Sequence, residues 1–226
     1  MAQKQDIFTL MGGRVRLWRG RYNPTSDAVW LAAMAADTHA QTVLEVGIGT
    51  GGAALCLMAN NQDAVVTGLD ISPEMLVECG ANAELNGRAI ELIKADITTW
   101  RTNRTFDLVI TNPPYFKGTP AKHNAHHNAD LGLWTRKCLA RVKPRGTFVI
   151  IVDAGTSATI IAQMTEKCGD IEIMPLFGAR KTAERVLLRG RLGTRGPTLI
   201  HAGLSMNTEA VLRDGLTIAA ALSTLS

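Results

Sequence analysis

Long hydrophobic runs are missing from this chain. The apolar stretch Val29–Ala36 falls well short of the roughly 20 residues a bilayer-spanning helix requires. The first residues, Met1-Ala2-Gln3-Lys4-Gln5-Asp6, contain no signal-peptide core, so a cytoplasmic protein without membrane attachment is expected. Cysteine is scarce and scattered. Cys56, Cys79, Cys138 and Cys168 form no C-x-x-C pair, and each falls in a stretch that reads as helix, which predicts reduced core thiols rather than disulfides or metal ligands. Repeats, low-complexity tracts and linker-like shifts in composition are also absent. With 46% hydrophobic residues among 226, the chain reads as one decorated domain.

Positive charge is present but unevenly spread. Residues 4–21 hold five Lys and Arg against one Asp, and residues 180–195 hold six against one Glu, while the remainder is net acidic. Such asymmetry suits a polyanionic partner, and Arg14, Arg16, Arg189 and Arg191 are the candidate contacts. A solvated charged face is the plainer explanation of the same pattern.

Alternation of strand and helix signals organises the middle of the chain. Phe8–Met11 and Arg14–Trp18 flank Gly12-Gly13 and read as a hairpin. A helix follows from Val29, with Ser26 or Asp27 placed to cap it. Strands are expected at Thr42–Val46, Ala64–Leu69, Ile90–Lys94, Phe106–Thr111 and Thr147–Val152. Helices are expected at Ala53–Asn60, Pro73–Asn86 (opened by Ser72) and Asn128–Val142. This order predicts a doubly wound α/β fold, a mostly parallel Rossmann-like sheet whose last strand is antiparallel, with an N-terminal β-hairpin extension. Residues 1–40 form the extension, 41–195 the core and 196–226 a C-terminal segment of a single domain. Glu45, Gly47, Asp70, Asp96 and Asn112 then share one rim, at the carboxyl ends of successive strands.

Asn112-Pro113-Pro114-Tyr115 is the most informative stretch. Two prolines stop the strand and bias the residues before them away from helix, so Asn112 is held on a stiff turn. The Asn112 side-chain oxygen and the Pro113 carbonyl can each accept a hydrogen from one exocyclic amine while Tyr115 stacks on the ring that carries it. A strand-ending turn without chemistry is the bland alternative. Gly47, Gly49 and Gly52 satisfy G-x-G-x-x-G, with Asp70 at a spacing suited to a ribose hydroxyl pair, so a dinucleotide stays open on the loop alone. Glu45 argues otherwise: an acid two residues before the first glycine repels a pyrophosphate and attracts the ammonium of S-adenosylmethionine. In that reading Asp96 accepts from the adenine amine.

These motifs, Glu45-Val46-Gly47-Ile48-Gly49-Thr50-Gly51, Asp70, Asp96 and Asn112-Pro113-Pro114-Tyr115, resemble those of the class I S-adenosylmethionine-dependent methyltransferases, whose amino-directed branch carries (N/D)-P-P-(Y/F/W). Lys143-Pro144-Arg145-Gly146 is similar to the Leu-Lys-Pro-Gly-Gly turn of that class, with Arg145 in place of a glycine. Most of the chain resembles more closely the bacterial tRNA adenine-N6 methyltransferases that modify a valine tRNA beside its anticodon: the hairpin, Tyr22 with Thr25 and Asp27, Asn-Pro-Pro-Tyr-Phe, and Arg185-Val186-Leu187-Leu188-Arg189. The resemblance implies S-adenosylmethionine as cofactor, bound by Asp27, Glu45, Gly47, Gly49, Gly51, Asp70, Ile71, Asp96, Ile97 and Asn112. It implies Asn112, Pro113 and Tyr115 as the catalytic group. The RNA side would be held by Tyr115, Phe116, Arg14, Arg16, Arg189 and Arg191.

The implied activity is N6-methylation of an adenine in tRNA or another structured RNA, at an unpaired anticodon-loop base. No metal is expected: His123, His126 and His127 share a segment that offers no fourth ligand nearby. Trp18, Trp30, Trp100 and Trp134 read as core packing. Three rivals use overlapping features. A protein glutamine-N5 methyltransferase needs the same two acceptors for an amide, a DNA adenine methyltransferase uses the same chemistry, and a non-catalytic binder of S-adenosylmethionine or RNA needs no turnover.

Overall fold

The computed structural model describes residues 6–20, 22–114 and 124–225, with the backbone alone for 124–130 and 225. Tyr115, Phe116 and His123 lie outside the described residues, as do the side chains of His126 and His127. An antiparallel hairpin opens the chain, β1 (Ile7–Leu10) and β2 (Val15–Trp18), joined by a 3-10 turn at Met11–Gly13. Gly12 and Gly13 take left-handed backbone at φ 62 and φ 99, which explains the glycine pair. The hairpin docks on a later helix, α3 (Pro73–Leu85), through two asparagines. Asn86 accepts from the Arg16 backbone N–H at 2.9 Å and donates to its carbonyl at 2.6 Å, and Asn82 accepts from Trp18 N–H at 2.8 Å.

The cap of helix α1 (Ser26–Ala36) lies earlier in the chain than expected. Thr25 is the cap, its hydroxyl accepting from Asp27 N–H, and Ser26 is the first helical residue. The alternating core then runs β3 (Thr42–Val46), α2 (Gly52–Asn60), β4 (Val65–Asp70), α3, β5 (Ile90–Lys94), β6 (Phe106–Thr111), α4 (Asn124–Leu139), β7 (Val142–Asp153), α5 (Ser157–Thr165), β8 (Cys168–Phe177) and β9 (Ala183–Leu192). Two short strands, β10 (Leu199–Ile200) and β11 (Leu204–Ser205), and the helices α6 (Glu209–Leu212) and α7 (Ile218–Leu225) follow. The large sheet has the order β10-β8-β9-β7-β6-β3-β4-β5, with β11 also on β8. Strands β3 to β7 are parallel, and β9 enters antiparallel between β7 and β8.

Both faces of this sheet are covered, which is why its central strands are almost continuously apolar. Leu108 and Ile110 of β6 join the cluster formed with α1 and α2, while Val109 joins the opposite cluster with Leu131, Cys138 and Ile160 of α4 and α5. Three expectations need correction. Cys168 opens strand β8 rather than sitting in a helix. Helix α4 spans Asn124–Leu139 rather than Asn128–Val142. Strand β7 starts at Val142, not Thr147: Val142 pairs with Phe106 and Thr147 with Leu108, so Lys143–Gly146 is accommodated as a bulge inside the strand. Among the described residues, no helix is long and apolar enough to cross a membrane.

Candidate active site

Parallel strands place their carboxyl ends together, here an upper rim at Val46, Asp70, Lys94, Thr111 and Asp153, with the amino ends on a lower rim. A cavity of about 730 Å³ opens on the upper rim, lined by Gly47, Gly49, Asp70, Ile71, Asp96, Ile97 and Asn112, all of them expected there. Asp70 holds the surrounding loops. Its Oδ2 accepts from Gly49 N–H at 2.8 Å and its Oδ1 from Ser72 N–H at 2.9 Å, so one carboxylate fixes both the glycine turn and the start of α3. Asp96 uses Oδ1 to accept from the backbone N–H and hydroxyl of Thr98, both at 2.8 Å.

Beneath the glycine turn lies a smaller recess of about 60 Å³, bounded by Tyr22, Thr25, Thr50 and the buried Glu45. Glu45 Oε2 and Thr50 Oγ1 are both shut off from solvent and have no hydrogen-bond partner. Burial pushes the Glu45 carboxyl up to about 8, the N–H of Ala54 offsets part of that, and Asp70 adds to it. Burial therefore favours the protonated carboxyl near neutral pH in the ligand-free protein. Burial thus works against the charge expected at Glu45, and a cation seated against it would favour the carboxylate again.

Asn112 lines the large cavity, the recess and a third small pocket bounded by Leu131, Ile151 and Asp153. It is the one described residue common to all three. It therefore sits between the cofactor side and the space beyond β6 and β7. Pro113 is buried beside it, lining the large cavity and the third pocket.

Some expected residues fall elsewhere. Gly51 is in neither the large cavity nor the recess. It starts α2 at φ 87, and a Cβ there would stand 2.8 Å from Cys79 Sγ. Asp27 is 3% exposed and lines neither; its Oδ2 accepts from Arg185 Nε at 3.1 Å, and Arg185 also reaches Asp153.

Three of the four arginines expected to grip RNA cap helix C-termini on the lower rim, away from Asn112. Arg14 Nη2 donates to Ala59 O of α2 at 2.7 Å, Arg16 Nη2 to Leu85 O of α3 at 2.7 Å, and Arg189 Nη1 to Met34 O of α1 at 3.2 Å. Unsatisfied carbonyls and the negative helix end attract them there. Arg191 is exposed and lies opposite Thr147, also at the lower rim. Two exposed cations toward the upper rim are Arg180 and Lys181, in the turn between β8 and β9.

Sequence reasoning missed other parts of the site. Trp134 lines the large cavity, its Nε1 donating to Thr111 Oγ1 at 3.2 Å while Thr111 donates to Val46 O at 2.8 Å, and it packs beside Gly47. An apolar helix position gave no sign of this. Tyr22, 52% exposed, lines both the cavity and the recess. Asn82 couples the hairpin to the glycine turn, donating to Thr50 O at 2.9 Å while accepting from Trp18.

A family model described as a methyltransferase domain matches residues 43–146. These residues match a methyltransferase domain, and the chain resembles the class I S-adenosylmethionine-dependent methyltransferases. The chain is also 29% identical over 141 residues to a tRNA1(Val) (adenine(37)-N6)-methyltransferase of Glaesserella parasuis, covering 58% of this chain and 60% of that protein. It thus spans less than two thirds of that relative's length. It is also 26% identical to a release factor glutamine methyltransferase of Deinococcus radiodurans, over 74% of this chain and 66% of that one. Among solved structures, a predicted O-methyltransferase from Agrobacterium tumefaciens superposes with a TM-score of 0.66 at 28% identity, covering 80% of this chain and 88% of that chain. S-adenosylmethionine is the cofactor of this domain class, and the methyltransferase site fits it. The buried atoms of Glu45 and Thr50 suit an ammonium, Asp70 a ribose, and Asp96 with Ile71 and Ile97 an adenine.

Proposed function

We propose that this methyltransferase methylates the exocyclic N6 of an adenine in RNA, at an unpaired anticodon-loop base of a tRNA. The observation that carries the reading is Asn112, fixed by two prolines where the cofactor cavity meets the pocket beyond it. The amine lone pair of adenine is delocalised into the ring. The Asn112 side-chain oxygen and the Pro113 carbonyl accept its two hydrogens, draw them out of conjugation and aim the lone pair at the incoming methyl. When bound, S-adenosylmethionine supplies that methyl on an electron-poor sulfonium. No strong base is required, because the amine sheds its proton once methylated, so catalysis is orientation and electrostatics. Tyr115 and Phe116 follow the two prolines in sequence and stack on the extruded base, which costs little from an unpaired loop.

RNA is favoured by the similarity to the tRNA1(Val) enzyme and by Arg180 and Lys181 toward the same rim as Asn112. A side-chain amide of a protein glutamine is the second reading, supported by the Deinococcus relative's broader coverage of this chain. Radiolabelled methyl transfer to unmodified tRNA, with a glutamine-bearing release-factor peptide and duplex DNA as competitors, tests both. Label in the tRNA supports the first reading; label in the peptide alone transfers the function to the second.

A further inference from the structure

We propose that the polar cavity on the lower rim is a second ligand site, built for a phosphate carried by a hydroxyl-bearing unit such as a nucleotide. It measures about 650 Å³, comparable to the cofactor cavity, and lies at the opposite end of the sheet. Its walls are polar, with Ala40 and Pro144 the apolar exceptions, so an apolar ligand has nothing to bury there.

Most of the charge in the walls is already matched. Asp107 accepts from Lys143 Nζ at 2.8 Å and from the hydroxyl of Thr42 at 2.6 Å, and Glu172 accepts from Arg189 and faces His201. Among the described residues, Arg145 and Arg191 line the cavity without an ion pair, both exposed, with Asp170 as the unmatched acid. Arg191 stands opposite Thr147, two residues beyond Arg145, and both arginines line this cavity. Planar guanidinium forks match phosphate oxygens, and a carboxylate that accepts hydrogens matches a sugar hydroxyl.

Backbone strain points the same way. The described non-glycine residues with left-handed backbone are Met11, His39, Arg145 and Asp170, and three of these four line this cavity. Arg145 stands at φ 64, where glycine carries no steric penalty. Strain of this kind gathers at binding sites, where the side chain is worth more than the relaxed backbone. Gly146 beside it packs closely against β6, where a Cβ would stand 2.8 Å from Asp107 O.

The test uses the full chain with saturating S-adenosylhomocysteine, titrated with a 5′-phosphorylated uridine dinucleotide and separately with unmodified tRNA. Wild type should bind the dinucleotide, and Arg145→Gly combined with Arg191→Ala should weaken it at least tenfold. Arg145→Gly alone relieves a left-handed arginine, so its thermal midpoint should equal or exceed wild type while its dinucleotide affinity falls; lost binding is then not lost folding. A parallel loss of tRNA affinity identifies the phosphate as RNA backbone, and an unchanged tRNA affinity identifies it as a free nucleotide. Absence of dinucleotide binding in wild type, or equal affinity in the double variant, overturns the proposal. Neither result depends on which acceptor the upper rim methylates, which is read separately by methyl transfer.

Discussion

Cofactor binding should expel a proton, and Glu45→Gln should abolish the effect. Glu45 is fully buried, with its carboxyl raised from 4.5 to about 8 by desolvation, partly offset by Ala54 N–H and reinforced by Asp70. The folded protein therefore holds a proton that the unfolded chain releases above pH 4.5. The stability this group contributes is complete below pH 4.5 and is lost as pH rises through 8. At roughly 1.36 kcal/mol per unit, the shift amounts to at most on the order of 5 kcal/mol across that window. An ammonium seated against Oε2 restores the preference for the carboxylate, so binding at pH 7 should release close to one proton. Affinity should then rise nearly tenfold per pH unit between about pH 5 and 7 and level off near 8. Calorimetry in buffers of different ionisation enthalpy counts the protons, and melts across pH 4.5–8 follow the stability. The Gln variant keeps the shape without the titration, so both dependences should vanish. At pH 8 it should bind more weakly by about 1.5–3 kcal/mol, the worth of a hydrogen bond to a charged partner. Proton release unchanged in the variant, or wild-type binding indifferent to pH, would refute the assignment of Glu45 to the ammonium.

Asn112→Ala should leave cofactor affinity within a few-fold in calorimetry while methyl transfer falls roughly a hundred- to a thousandfold, because one of two preorganised acceptors is gone; full activity would remove the mechanism. Arg180→Glu with Lys181→Glu should weaken tRNA binding and lower its salt slope by roughly one unit per residue, whereas Arg16→Ala should lower the melting temperature and leave the slope unchanged, as filter binding across a salt series and thermal melts will read. Asp107 titrates the opposite way from Glu45. Burial raises its carboxyl, but Lys143 and Thr42 outweigh this and hold it at about 2, so its contribution is present above pH 3.8 and lost as pH falls toward 2. Asp107→Asn should flatten that acid limb of the unfolding curve and spare methyl transfer.

The sheet was legible because strand and helix periods alternate cleanly from Thr42 onward and because polar residues recur at strand ends. Glu45, Gly47, Asp70, Asp96 and Asn112 therefore reach one rim as expected. Lys143–Gly146 resembles a turn of the methyltransferase class, yet a bulge absorbs all four residues and lets Val142 pair. Cys168 comes only three residues after the last residue of α5, and nothing local in the sequence marks the change from helix to strand. The basic segments have partners that the sequence pattern does not reveal. Charge density along the chain does not reveal whether an arginine faces solvent or a helix end, and Arg14, Arg16 and Arg189 are each decided by a carbonyl distant in sequence. Trp134 and Tyr22 were hidden likewise, since only the folded sheet brings them to Gly47 and Gly49.

The two asparagines that dock the hairpin have a consequence for solution behaviour. A two-stranded ribbon leaves rows of open N–H and C=O groups, which other chains can extend into aggregates. Along β2 this template is consumed. Asn86 takes both the donor and the acceptor of Arg16, as a neighbouring strand would, and Asn82 takes the donor of Trp18. Side-chain amides thus take the place along β2 that a third strand takes in other folds.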